Sequence, residues 1–209
     1  MAAFDLQEQE QLAQLKGWWQ DWGRYLAAVL AAVLIGFIGW QGWQAWQRHV
    51  HEKAGAEFIA LQDVVADPAK FKAQLDKLKS DYTSTPYASR GAMIAAQQAY
   101  TLGKLQDARA ELKWVIDHSG ESVLRDLARL RQAGIALDEK KFDEALSLAK
   151  APEETSFSAV FAETRGDAYL LKGDKGAARD AYQQALAKTN KEMPNYRLIE
   201  FKLHAAGAQ

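Results

Sequence analysis

The sequence predicts an all-α protein: a single N-terminal transmembrane helix, then an α-solenoid of about four helix pairs closed by a C-terminal capping helix. Three observations carry this. A 23-residue stretch between Arg24 and Arg48 has no formal charge and is bracketed by tryptophans. Beyond it, apolar residues recur at helical spacing, with no Asn-Gly hairpin signal and no alternating strand pattern. Within that region, paired alanines return at Ala108, Ala145 and Ala178, 37 and 33 residues apart.

Composition narrows the classes further. A chain of 209 residues is one domain with room for an appendage. At 48% hydrophobic and 25% charged it has the balance of a folded protein, and 14 Gly with 4 Pro disfavour a turn-rich β sandwich. Residues 1–53 hold four Lys/Arg and five Asp/Glu, which leaves 22 of each sign for the other 156 residues. That neutrality removes the electrostatic footprint of nucleic-acid binding. With no cysteine, disulfides, thiolate metal sites and cysteine nucleophiles are excluded.

Residues 1–24 read as an acidic tail, 25–47 as the span, 48–66 as a juxtamembrane extension of the same helix and 67–209 as the repeat domain. From Tyr25 to Trp40 no strongly polar side chain occurs; Gln41, Gln44 and Gln47 then polarise the last turns. Six of the seven tryptophans form two belts, Trp18, Trp19 and Trp22 before the run and Trp40, Trp43 and Trp46 after it. Trp22 to Trp40 is roughly 27 Å of helix, close to the roughly 30 Å of bilayer hydrocarbon, and indole prefers the membrane–water interface. A buried core helix would not put its large aromatics at both ends. A cleaved signal peptide wants a short basic leader and small residues at the cleavage site, whereas the leader here is acidic and bulky Trp follows the run. A retained anchor in a lipid bilayer is the reading. Its orientation stays open, since Lys16 and Arg24 on one side balance Arg48 and Lys53 on the other. Ala28, Ala32, Gly36 and Gly39 make a small-residue stripe of the kind that lets another transmembrane helix approach.

The helix is expected to continue to about Val65. Asp67-Pro68 then supplies an N-cap and a proline for the first turn of the next, with Phe71, Leu75 and Leu78 on one face. Ser84-Thr85-Pro86 punctuates another start. Three later segments share a pattern of small residue, small or aromatic residue, turn, Ala, bulky residue, small residue. The last has Gly166, Tyr169, Gly173, Ala178, Tyr182 and Ala185, and the first has Ala96, Ala99, Gly103, Ala108, Leu112 and Val115. The middle one, Ala133, Ala136, Lys140, Ala145 and Ala149, breaks at Pro152. The two spacings bracket the 34-residue tetratricopeptide period. Small residues at a crossing let antiparallel helices approach, bulky ones fill the groove to the next repeat, and stacking supplies a continuous core. Pro194 to about Ala206 reads as the closing helix, with Tyr196, Ile199 and Leu203 inward.

No catalytic, cofactor-binding or metal constellation stands out. His49, His51, His118 and His204 lack the spacing of a zinc hydrolase. Asp117-His118-Ser119 has the residue types of a hydrolytic triad, but consecutive residues do not converge on one substrate atom. What the repeats offer is a surface. Tetratricopeptide geometry places Arg90, Met93, Gln97, Tyr100, Leu130, Leu137, Glu163, Asp167 and Leu170 on the concave side, a mixed lining suited to extended polypeptide. Leu137 fits the core between repeats as well as the groove.

The acidic tail, the Ala/Gly-rich span ending in Trp and the degenerate repeats together resemble the YfgM family of Gram-negative bacteria. The most similar stretch runs from Ala162 to Tyr182, with the Gly-Trp-Gln-x-Trp region after the span. The resemblance implies an ancillary subunit of the SecYEG translocon in the bacterial inner membrane, single-pass, with its N-terminus cytoplasmic and its repeats periplasmic. It also implies a PpiD-like membrane chaperone as partner, secretory polypeptides as clients handed to periplasmic chaperones, and a cytoplasmic segment linked to a stress response. A passive envelope scaffold docking one folded partner is the alternative. Pro152, where a small residue is expected, departs from the repeat pattern.

Overall fold

In the computed structural model, residues 2–207 are described, with side chains from residue 12 onward; Asp5, Glu8 and Glu10 of the acidic tail therefore lie outside the described side chains. The described residues form nine α-helices and no strand. By internal contacts the chain divides into two units, Met1–Glu52 and Lys53–Gln209.

Helix α1 is continuous over Ala2–Asp63, because neither proline nor a turn cluster interrupts it. Within the first unit every side chain from Tyr25 to Trp46 is exposed, and no residue of its most apolar 18-residue window is buried. Val29, Leu30, Val33, Leu34, Ile35 and Ile38 are each more than half exposed. A helical stretch apolar all round and uncovered among the described residues wants an apolar solvent, and this helix is long and apolar enough to cross a membrane. The sequence places its end near Val65; the structure stops it at Asp63. A turn follows, with Asp67 N–H bonded to the Val64 carbonyl, since a residue ahead of proline avoids the helical region.

In the second unit, the end of α1 supplies Ala54 and Leu61, both fully buried. Leu61 shares a core with Phe71, Leu75 and Leu78 of α2 (Pro68–Asp81). The Asp67 carboxylate caps α2 by accepting from the amides of Ala69 and Lys70, both at 3.2 Å. Helices α3 (Pro86–Thr101) and α4 (Leu105–His118), α5 (Ser122–Asp138) and α6 (Phe142–Leu148), and α7 (Ser158–Lys172) and α8 (Lys175–Ala187) form three hairpins, and α9 (Pro194–Ala205) closes the stack. The first members, α3, α5 and α7, lie side by side.

The three hairpins turn in the same way. Gly103, Lys140 and Gly173 all adopt positive φ, at 70°, 59° and 91°. The amide after each reaches back to the carbonyl of Ala99, Ala136 or Tyr169, at 2.8, 2.7 and 2.9 Å. This is a Schellman closure repeated three times, and Lys140 performs it without the freedom of glycine. Behind the turns Ala108, Ala145 and Ala178 are fully buried. The closest crossing is Gly166 on Tyr182, where an added Cβ would fall 2.4 Å from the ring.

The middle hairpin departs where the sequence said it would. Helix α6 has seven residues against fourteen in α4 and thirteen in α8. The stretch from Ala149 to Phe157, through Pro152 and a short 3-10 turn at Thr155–Phe157, replaces the missing turns. Its backbone groups are met by side chains. The fully buried Asp126 carboxylate accepts from the amides of Glu153 and Glu154 at 2.8 and 2.9 Å. Arg129 donates to the carbonyls of Leu148 and Ala151, and Arg165 to those of Ala149 and Lys150. Arg129 also sits 5.1 Å over the Phe161 ring. Buried backbone polar groups without partners are costly, and three charged residues stand in here for two turns of helix.

Candidate functional site

Because α3, α5 and α7 line up, their solvent-facing edges enclose a cavity of about 620 Å³. Ala96, Gln97 and Tyr100 come from α3; Arg131, Gly134, Ile135, Leu137 and Asp138 from α5; Asp167, Leu170 and Leu171 from α7. Leu112 and Tyr182 reach it from the second helices, and Lys202 from α9.

Of the residues expected on the concave side, Gln97, Tyr100, Asp167 and Leu170 meet here, as does Leu137, which also packs against the Ala133–Ala145 core. Arg90, Met93, Leu130 and Glu163 do not. Met93 is 7% exposed and belongs to the core around Leu112 and Ile135. Arg90 is bonded to Glu121 at 3.2 Å, Glu163 is taken by Lys202 at 2.7 Å, and Leu130 is half-buried outside the lining. The sequence reading missed Arg131, Gly134, Ile135, Asp138, Leu171 and Lys202. A signal existed for three of them: Arg131, Gly134 and Asp138 are spaced i, i+3, i+7 around Leu137, one position round the helix from Leu130.

The walls are tied together. The Tyr100 hydroxyl donates to Asp138 at 2.8 Å, joining α3 to α5, and the carboxylate raises the pKa of the phenol. Lys202 donates to Glu163 at 2.7 Å and to Asp167 at 2.9 Å, joining α9 to α7. Burial works against the Lys202 charge, but the two carboxylates outweigh it and the ammonium titrates above its ordinary value. The Tyr182 hydroxyl donates to Asp167 at 2.8 Å; burial first, then that carboxylate, pushes the phenol far up. Arg131, by contrast, makes no hydrogen bond or ion pair among the described residues. Leucine and isoleucine surfaces therefore supply apolar area, while Gln97, Arg131 and Asp138 place donors and acceptors along the cavity wall.

The triad-like residues go elsewhere. His118 bonds the Trp114 carbonyl through Nδ1 at 2.9 Å and stacks on its ring, Asp117 pairs with Lys113, and Ser119 Oγ accepts from the Glu121 amide. His51 Nδ1 contacts the Gln47 carbonyl at 2.8 Å. Among the described residues no group of three or more His, Asp or Glu could hold a metal.

On α1, the six belt tryptophans Trp18, Trp19, Trp22, Trp40, Trp43 and Trp46 are all at least half exposed. Ala28, Ala32, Gly36 and Gly39 are uncovered, and a Cβ at either glycine would meet nothing within 4 Å.

Stacked helix hairpins, each closed by a left-handed turn, with an open inner face define a helical-repeat protein. Residues 16–208 match the family model described as a tetratricopeptide repeat-like domain, and the chain belongs to that family. It is similar to three curated relatives, each called "Ancillary SecYEG translocon subunit". The one from Neisseria gonorrhoeae (strain ATCC 700825 / FA 1090) is 28% identical over 96% of this chain and 98% of its own length. That from Haemophilus influenzae (strain ATCC 51907 / DSM 11121 / KW20 / Rd) is 29% identical over 88% and 90%. That from Escherichia coli (strain K12) is 27% identical over 84% and 85%. These agree with the YfgM-family resemblance of the sequence. No solved structure matches the chain.

Proposed function

We propose that this protein is a membrane-anchored, non-catalytic adaptor at the SecYEG translocon, with the groove of its repeats contacting polypeptide that has crossed the bilayer. The observation that carries the reading is end-to-end similarity to relatives bearing the translocon-subunit name. Residues 25–47 serve as the anchor, with both tryptophan belts at the headgroups, and residues 1–24 as the cytoplasmic tail. The repeats stand in the periplasm beside a PpiD-like chaperone and pass secretory clients toward periplasmic chaperones.

The test has two parts. Membranes solubilised gently should yield SecYEG with the full-length protein, and recovery of the protein without translocon subunits overturns the reading. Photo-crosslinkers at Gln97 and Leu170, which line the cavity, should then capture many secretory precursors. Capture of one folded protein instead replaces client handling with a scaffold role.

A further inference from the structure

Glycine costs stability inside a helix, so one that is kept there needs a reason. The helices of the second unit hold Gly55, Gly91, Gly134, Gly166 and Gly176. For four of them the reason is contact. A Cβ at Gly91 would fall 3.0 Å from Leu61, and at Gly166 2.4 Å from Tyr182. At Gly55 it would lie 3.3 Å from Tyr87, and at Gly176 3.7 Å from Asp174. At Gly134 it would meet nothing within 4 Å, and the φ of Gly134 is not positive. Neither packing nor backbone conformation asks for glycine in α5. What Gly134 borders is the cavity, and any side chain there would take up its space.

The charges of the wall indicate what that space receives. Asp138 already holds the Tyr100 hydroxyl, Asp167 holds Tyr182 and Lys202, and Lys202 is shared between Glu163 and Asp167. Arg131 alone of the charged lining has no partner among the described residues. It stands three residues before Gly134 on the same face of α5, about 4.5 Å along the helix. We infer that Gly134 and Arg131 form a two-part socket for a polypeptide segment: a large apolar side chain seats over Gly134, and an acidic side chain beside it pairs with Arg131. The inference rests on the reading above that the groove contacts polypeptide. Leu137, Leu170 and Leu171 supply the apolar wall. An extended chain advances about 3.3 Å per residue, so the acidic residue falls one or two positions from the apolar one. Charge complementarity thus selects acidic over basic segments, and the absent side chain selects bulky over small ones.

The test uses the full-length chain in phosphatidylcholine nanodiscs, with affinity read by fluorescence anisotropy. The probes are labelled Ser/Gly decapeptides whose centre is Glu-Phe-Glu, Lys-Phe-Lys or Glu-Ala-Glu. Glu-Phe-Glu is expected to bind about tenfold more tightly than either of the others. Arg131→Glu should invert the order of the first two. Gly134→Leu should weaken Glu-Phe-Glu binding at least about tenfold while the thermal midpoint of the repeats stays or rises, and Gly134→Ala should raise that midpoint by about 2–4 °C. A lower midpoint in both variants would assign Gly134 to packing and overturn the proposal. So would a native chain without preference for Glu-Phe-Glu, an order that Arg131→Glu leaves as it was, or full affinity in Gly134→Leu. A photo-crosslinker at Gln97 in native membranes separates the socket from the broader groove reading. Loss of precursor capture on adding Gly134→Leu supports the socket. Undiminished capture overturns the socket and leaves the groove reading standing, whereas no capture by the native chain overturns both.

Discussion

Lys140 holds a left-handed backbone at φ 59° in the place where the other two hairpins use glycine. A side chain at positive φ is strained by contact of its Cβ with the backbone. Lys140→Gly is accordingly expected to stabilise the fold by up to about 1 kcal/mol, read as a higher denaturant midpoint. Gly166 presents the opposite case: alanine there would meet the Tyr182 ring, so Gly166→Ala should cost about 1–3 kcal/mol in the same assay. An unchanged midpoint would place the crossing elsewhere. The Asp126 carboxylate matters more, since it serves two amides and Arg129 while wholly buried. Asp126→Ala strands all three, and a loss of about 3 kcal/mol or more is expected.

Among the elements, the hairpins were legible because their constraints are local. Ala108 and Ala178, Gly103 and Gly173, and the prolines at 68, 86 and 194 each declare a crossing, a turn or a helix start. The segment after α6 was not. Pro152 announced that a helix stops, but the partners of the freed backbone, Asp126, Arg129 and Arg165, lie 15 to 28 residues away, and spacing rules do not reach that far. The groove was half legible for a related reason. An error of one position round α5 exchanges Leu130 for Arg131, and helical periodicity alone tolerates that error. This segment also carries a pH signature. Arg125 donates to Glu153 and holds its carboxyl below the usual range, as Lys77 and then Gln74 do for Glu57. A lowered folded pKa gives stability that is present above the unfolded value of about 4.3 and is lost as pH falls through the folded one. Thermal midpoints should therefore hold near neutrality and drop below about pH 4, with a shallower fall in Glu153→Gln.

For the molecule as a whole, the consequential fact is the long uncovered apolar stretch on α1. The full chain is expected to require detergent or lipid to remain monodisperse; stability in plain buffer would refute the anchor. Protease added to cells with a permeabilised outer envelope should digest the repeats and spare the tail, and the reverse pattern would invert the proposed orientation.

The three left-handed joints at Gly103, Lys140 and Gly173 also show where the hairpin geometry is held. Their backbone bonds set the angle between the two helices of each hairpin, and no side chain contributes to those bonds. The turn geometry is therefore written in the backbone, and the side chains on the outer surfaces of the hairpins can change without disturbing it.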